Sequence, residues 1–308
     1  MVKFLWGLFK AFRPRQWVKN FALFAPLILS GSLFDPVDQL KALSAFLLFC
    51  GFSSATYLLN DVFDIERDRL HPFKIKRPVA SGLIPPSIAV AVALILILIS
   101  LPLAYKLSPA FFIAGVLYLI LQLFYSAYLK HVILIDVIVI AAGFVLRIYA
   151  GVWAIDAHLN VWFLLSVISF ALFLAIGKRR SELTLMQSQA SKHRETLLHY
   201  PENLLDILTS MFANSTWLTY ALFAFQQAPI TTPQNLIRFL GDLELPIFEA
   251  KYFMATVPIT IYAVMRYLYI IYEKKEGESP ERVLITDTPL LASVLIWLML
   301  VIGIIYYL

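Results

Sequence analysis

The sequence predicts an all-α integral membrane protein of about nine transmembrane helices, and three observations carry that prediction. Hydrophobic residues make up 60% of the 308 positions against 15% charged, with a mean hydropathy of +0.79, far more apolar than a soluble domain. Apolar runs of about twenty residues, the length that crosses roughly 30 Å of hydrocarbon, recur along the whole chain. Lys and Arg gather in alternate connecting segments, the asymmetry that marks short cytoplasmic loops. A soluble fold of this length would instead place polar residues at every third or fourth position.

Taken in order, the opening segment MVKFLWGLFKAFRPRQWVKN lacks a long apolar core followed by a small-residue cleavage site. It reads as a basic segment beside the membrane that the mature protein retains, not as a signal peptide. Spans are expected near Phe21 to Phe34, Leu40 to Leu59, Ser87 to Tyr105, Ala110 to Leu129 and Val132 to Ala154. Four more are expected near Val161 to Gly177, Leu204 to Phe225, Phe248 to Tyr272 and Pro289 to Leu308. The first is short and carries Pro26.

With the N-terminus inside, the opposite face holds only Lys41, Lys106, Arg238 and Lys251, and Arg147 and Arg266 lie within spans. Every other Lys and Arg then falls on the cytoplasmic side, so the N-terminus is expected inside and the C-terminus outside the cell (inner) membrane. Residues 1–308 form one transmembrane catalytic domain on this reading. The net charge of +5 follows largely from the same bias and requires no nucleic acid; attraction to anionic lipid or a phosphorylated substrate is a further use for it. The stretch from Gln226 to Glu249 is expected outside as a cap, without chemistry, and the sequence leaves a homo-oligomer open.

Cys50 is the single cysteine, so no intrachain disulfide forms, and its apolar run makes it a small packing residue. The histidines, His71, His131, His158, His193 and His199, lack the spacing of a zinc site.

Chemistry concentrates after the second span, in Asn60-Asp61-Val62-Phe63-Asp64-Ile65-Glu66-Arg67-Asp68, followed by Arg69-Leu70-His71-Pro72-Phe73-Lys74-Ile75-Lys76-Arg77-Pro78. If the helix continues through this stretch, Asp61, Asp64 and Asp68 are three and four residues apart and share one face. Like charges stacked in this way repel. A hard cation such as Mg²⁺, which also accepts phosphate oxygens, is one compensation; the other is a solvated helix whose acids pair with Arg67, Arg69 and Lys74. Arg147, deep in a span, needs either a substrate or an internal partner. Arg266 raises the same question, with snorkelling to the interface as the simpler answer. Asp136 is placed to accept a bond from Lys130 or from a substrate hydroxyl, with a structural role favoured.

The segment Asn60 to Asp68 resembles the aspartate-rich NDxxDxxxD motif of the UbiA-type intramembrane prenyltransferase superfamily, and the likeness continues through Pro72, Lys74, Arg77, Pro78 and Gly82. Within the superfamily the chain is similar to the branch that moves 5-phosphoribose from phosphoribosyl pyrophosphate (PRPP) to a polyprenyl (decaprenyl) phosphate, in cell-wall arabinan precursor synthesis. That likeness runs through Arg13-Pro14-Arg15-Gln16-Trp17-Val18-Lys19-Asn20, Tyr125-Ser126-Ala127-Tyr128-Leu129-Lys130-His131 and Gly177-Lys178-Arg179-Arg180-Ser181-Glu182-Leu183.

The resemblance implies a UbiA-like bundle and a Mg²⁺ held by Asn60, Asp61, Asp64 and Asp68. Asp61, Asp64 and Tyr125 would act in catalysis, and Lys19, Asn20, Lys74, Arg77, Lys130, Lys178 and Arg179 would bind substrate, with Arg147 as a further candidate. Aromatic prenyltransferases of the superfamily carry a second aspartate-rich loop after the sixth span. Here that segment is Lys178-Arg179-Arg180-Ser181-Glu182, one acid among three cations, which suits phosphate better than a second metal. The competing reading is transfer of a prenyl group from a prenyl diphosphate to an aromatic acceptor. A transporter is disfavoured, since neither two corresponding hydrophobic halves nor charges lining a path across the membrane are evident.

Overall fold

The computed structural model describes residues 2–70, 74–188, 200–227, 251–274, 277 and 279–307. Among these, all regular structure is helical. Seven helices or helical runs are long and apolar enough to cross a membrane: Pro36–Phe63, Pro86–Leu107, Pro109–Ala127, Ile135–Ile155, Val161–Thr184, Tyr252–Lys274 and Thr288–Tyr307. The described chain forms two compact units, the first containing Asp35–Ala157 and the chain up to Leu27, the second containing Ile28–Phe34 and described residues from His158 onward.

In unit one, α1 (Val2–Ala11) turns its Gly7 and Ala11 against the protein and exposes Val2, Leu5, Trp6 and Phe9. A 3-10 segment, Pro14–Phe24, follows and leads into the short α2 (Ala25–Leu29). The expected span from Phe21 to Phe34 is therefore not one continuous helix. Composition alone did not reveal that the backbone here takes the tighter i→i+3 pattern, which rarely runs so far. Packing accounts for it: the segment lies so close to α7 (Ile135–Ile155) that a Cβ on Gly151 would stand 2.2 Å from the Leu23 carbonyl oxygen. Only glycine admits that backbone approach.

Helix α3 (Pro36–Phe63) begins at an Asp35 cap that accepts from the backbone N–H groups of Val37 and Asp38. Its 28 residues make a rod of about 42 Å, longer than the hydrocarbon layer, so its last turns carry Asn60 and Asp61 to the membrane surface. After α4 (Ile65–Leu70), the chain turns at Gly82, whose φ of +78° suits glycine. Helix α5 (Pro86–Leu107) then buries Ala89, Ala93, Ser100 and Ala104 while exposing Leu94, Leu98, Ile99 and Leu103. Small residues inward and large apolar residues outward is the arrangement expected where lipid supplies no hydrophobic contrast and helices associate by close packing. A Ser108 cap opens α6 (Pro109–Ala127).

Unit two contains α8 (Val161–Ser188) and α9 (Glu202–Gln226). Helix α9 has the length to cross, yet Asn203, Asp206, Thr209, Ser210, Asn214 and Thr216 make it more polar than the seven runs above. The next run is composite, with a 3-10 turn at Tyr252–Thr256, α10 (Val257–Tyr269) and a π-helical turn at Ile270–Lys274. Two helices close the described chain, α11 (Pro280–Thr286) and α12 (Thr288–Tyr307). Beyond Gln227, the stretch expected to cap the outer face lies outside the described residues, as do His71, Pro72 and Phe73.

Candidate active site at the aspartate motif

The acidic motif does not lie on one unbroken helix. Helix α3 ends at Phe63 and Asp64 is its C-cap, with φ −96° and ψ 7°, before α4 resumes at Ile65. The break is shallow, because the Asp68 N–H still donates to the Asp64 carbonyl at 2.8 Å. Asp61 and Asp68 are buried, Asp64 is partly exposed, and Asn60 is half-buried.

Each acid is met by a cation of unit one. Arg13 donates to Asp61 Oδ1. Arg77 Nη1 bridges two acids, at 2.5 Å from Asp68 Oδ2 and 3.3 Å from Asp61 Oδ1. Lys130, in the 3-10 turn Leu129–His131 after α6, places Nζ 2.6 Å from Asp64 Oδ1 and is itself buried. The pairing with Arg67 and Arg69 that sequence allowed is not what these two make: Arg67 meets His131 at 3.1 Å and Arg69 donates to the Ala80 carbonyl at 3.3 Å. Sequence reasoning missed Arg13 as a site residue, although it heads the Arg13 to Asn20 run; its partner lies 48 residues away, a distance no local pattern encodes. Burying ions costs several kcal/mol each before pairing returns any of it, so such a network is weak evidence of stabilisation and better evidence of a site.

The other expected residues fall at different depths. Lys19 is half-buried in the 3-10 segment, Tyr125 is half-buried in the last turn of α6, and Lys74 is exposed in the turn Lys74–Lys76. Trp17 fixes the 3-10 segment to α3 by donating to Ser54 Oγ at 3.1 Å. Asn20 points inward and is fully buried, donating to Ser53 Oγ at 3.2 Å and accepting from Arg147 Nε at 2.9 Å. Arg147 also donates to the Gly143 carbonyl at 2.7 Å and Tyr118 OH at 3.0 Å, against the Tyr118 and Phe49 rings. Asn20 and Arg147 thus form a buried brace between the 3-10 segment and α7. Asp136 is buried in the first turn of α7.

In unit two, the segment Lys178 to Glu182 is not a loop but part of α8. Arg179 Nη1 lies 2.6 Å and Lys178 Nζ 3.8 Å from Glu182, at i,i+3 and i,i+4 spacing that favours helix. Arg180 pairs with Asp206 and Glu202, each at 2.6 Å. Glu182 and the acids of α9 thus already engage these three cations.

The acids can be tested against a hard divalent ion. Among the described residues no three His, Cys, Asp or Glu side chains are grouped to hold a metal by themselves. Magnesium does not require that, since it binds through one or two carboxylates and completes its shell with water and substrate phosphates. Asp61 and Asp68 converge on the same Arg77 nitrogen and supply such a carboxylate pair, so the donor set fits.

A profile of the UbiA prenyltransferase family matches residues 21–284. The chain belongs to the UbiA prenyltransferase family. As a member it is an integral membrane protein, and its long relatives narrow the comparison. It is 35% identical over 297 residues to decaprenyl-phosphate phosphoribosyltransferase of Mycolicibacterium smegmatis, covering 95% of this chain and 90% of that protein. It is 33% identical over 304 residues to the enzyme of the same name from Corynebacterium glutamicum, covering 97% and 87%. The UbiA fold itself is matched by the structure of a UbiA homolog from Archaeoglobus fulgidus bound to GPP and Mg²⁺, with a TM-score of 0.68, 20% identity and coverage of 97% and 99% of the two chains.

Proposed function

We propose that this chain transfers 5-phosphoribose from PRPP to a polyprenyl phosphate and releases pyrophosphate. The observation that carries the reading is the near full-length identity, 35% across 95% of the chain, to a relative named for phosphoribosyl transfer and decaprenyl phosphate; PRPP as the donor is our own reading. The site supports it chemically. Both substrates are polyanions, and Arg13, Arg77 and Lys130 lie at the aspartate motif.

In the reaction the bond from the ribose anomeric carbon to the diphosphate breaks, its electron pair leaving with pyrophosphate, and a lipid phosphate oxygen bonds to the opposite face of that carbon. A phosphate monoester is largely ionised near neutral pH, with a second pKa of about 6, so no general base is needed. Positioning and charge neutralisation remain as the protein's task. Asp61 and Asp68, with Asn60 and Asp64, would hold Mg²⁺, whose charge would offset that of the departing diphosphate. Lys19, Lys74, Arg77 and Lys130 would bind phosphate groups, and Tyr125 would orient the ribose. Residues 1–308 act as one catalytic domain on this reading, with the motif on the cytoplasmic face of the cell membrane.

Two parallel incubations test the assignment, one with labelled PRPP and polyprenyl phosphate, the other with labelled prenyl diphosphate and 4-hydroxybenzoate. Labelled lipid from the first pair alone is expected; product from the second pair alone would reassign the chain to aromatic prenylation. Asp61→Asn and Asp64→Asn should each lower turnover by more than about 100-fold, beyond what loss of an outer-shell partner causes, while the protein stays folded in the membrane.

A further inference from the structure

Among the described residues, Asp61 meets two cations where Asp64 and Asp68 each meet one. Asp68 is held by Arg77 and Asp64 by Lys130, but Asp61 Oδ1 receives both Arg77, at 3.3 Å, and Arg13. If Arg13 departed, Asp61 would keep Arg77, whereas Arg77 has two acids to hold.

The backbone of Arg13 is the second observation. Its φ and ψ are 54° and 60°, the left-handed region that non-glycine residues adopt uncommonly. Pro14 follows, and a proline pushes the residue before it toward extended conformations. It stands at the exit of α1, where its N–H donates to the Lys10 carbonyl at 3.2 Å and its carbonyl accepts from the Gln16 N–H at 2.8 Å, a helix ending in the left-handed region; its guanidinium lies 4.9 Å over the Tyr57 ring and reaches Asp61. The Arg13 side chain remains 25% accessible, as does that of Arg77, against 2% for Asp61, so it reaches its partner from the rim.

We infer that Arg13 is a built-in competitor for the divalent ion, a positioning residue that occupies Asp61 and keeps the ion's affinity low until the diphosphate adds its own negative charge. This rests on the proposed role of Asp61 in holding the ion. A fixed positive charge against a carboxylate lowers its affinity for any other cation, as it does for a proton, by about tenfold or more. Arg13 therefore makes productive binding depend on ion and diphosphate together.

The test is Mn²⁺ binding to purified full-length protein without substrate, read by the electron paramagnetic resonance of free Mn²⁺. Arg13→Gln should bind Mn²⁺ on the order of tenfold tighter than wild type, Arg13→Lys should stay near wild type, and Asp61→Asn should lose the site. Tyr57→Leu, which removes the ring beneath the guanidinium, should shift affinity in the same direction by less, and it carries the test if Arg13→Gln does not fold. A residue that only braced the fold would weaken Mn²⁺ binding when removed. Equal or weaker binding by folded Arg13→Gln, or by Tyr57→Leu in its place, overturns the inference. Unchanged binding in Asp61→Asn overturns it together with the metal role of Asp61, and the paired-substrate assay decides the transfer reaction separately.

Discussion

Arg147 donates to Asn20, Tyr118 and the Gly143 carbonyl inside unit one, and the acceptors are neutral. A guanidinium can satisfy three directions at once because its donors are fixed in a plane, which a lysine ammonium does not reproduce. Removing it leaves the buried Asn20 and Tyr118 oxygens without that donor, at about 1–3 kcal/mol for each unsatisfied group. Arg147→Met is therefore expected to destabilise the detergent-solubilised protein by roughly 3 kcal/mol, and Arg147→Lys by less, measured by denaturant unfolding. A variant as stable as wild type but with a raised KM for PRPP would instead make Arg147 a substrate ligand. Sequence marked this residue as needing a partner; that the partner is an asparagine 127 positions away is information only the packed chain holds.

Among the elements, the start of α12 shows how a connection is secured. Asp287 accepts from the Leu290 N–H at 3.0 Å as a cap, takes a two-point contact from Arg266 at 3.0 and 2.9 Å, and meets Lys274 at 2.7 Å. Arg266 is thus anchored to an acid, where sequence favoured snorkelling to the interface. The Arg266 guanidinium foremost, with Lys274 and the Leu290 amide, holds the Asp287 carboxyl well below the usual carboxylate range, against the opposing effect of burial. A carboxyl with a lowered folded pKa contributes stability above its unfolded value of about 3.9, and that contribution fades as pH falls toward the folded pKa. Thermal unfolding measured from pH 6 down to pH 3 should show an acid-dependent loss that is smaller in Asp287→Asn, which should also be less stable at pH 6. Equal pH dependence in the two proteins would remove Asp287 from that account.

For the whole molecule, seven described runs qualify as membrane spans, and the expectation from sequence was about nine. An odd number of crossings, as the sequence expects, leaves the termini on opposite sides of the membrane. On nine crossings, the distribution of Lys and Arg leads us to propose a cytoplasmic N-terminus. In a Cys50→Ser background, cysteines placed at Lys3 and Tyr307 should label from opposite sides of sealed vesicles, Tyr307 from outside the cell. Labelling of both from one side would require an even number of crossings.

The sequence by itself determined the membrane class, the positions of most long helices, the family and the acidic motif, because each depends on composition or on spacing within one turn of helix. It could not determine that Pro14–Phe24 runs as a 3-10 segment against Gly151, that α3 breaks at Asp64, or that Arg13, Arg77 and Lys130 are the cations the acids meet. Those facts depend on which surfaces come together across tens of residues. In a lipid-spanning chain such meetings follow from close fit and the pairing of buried polar groups, not from the hydrophobic pattern that sequence displays.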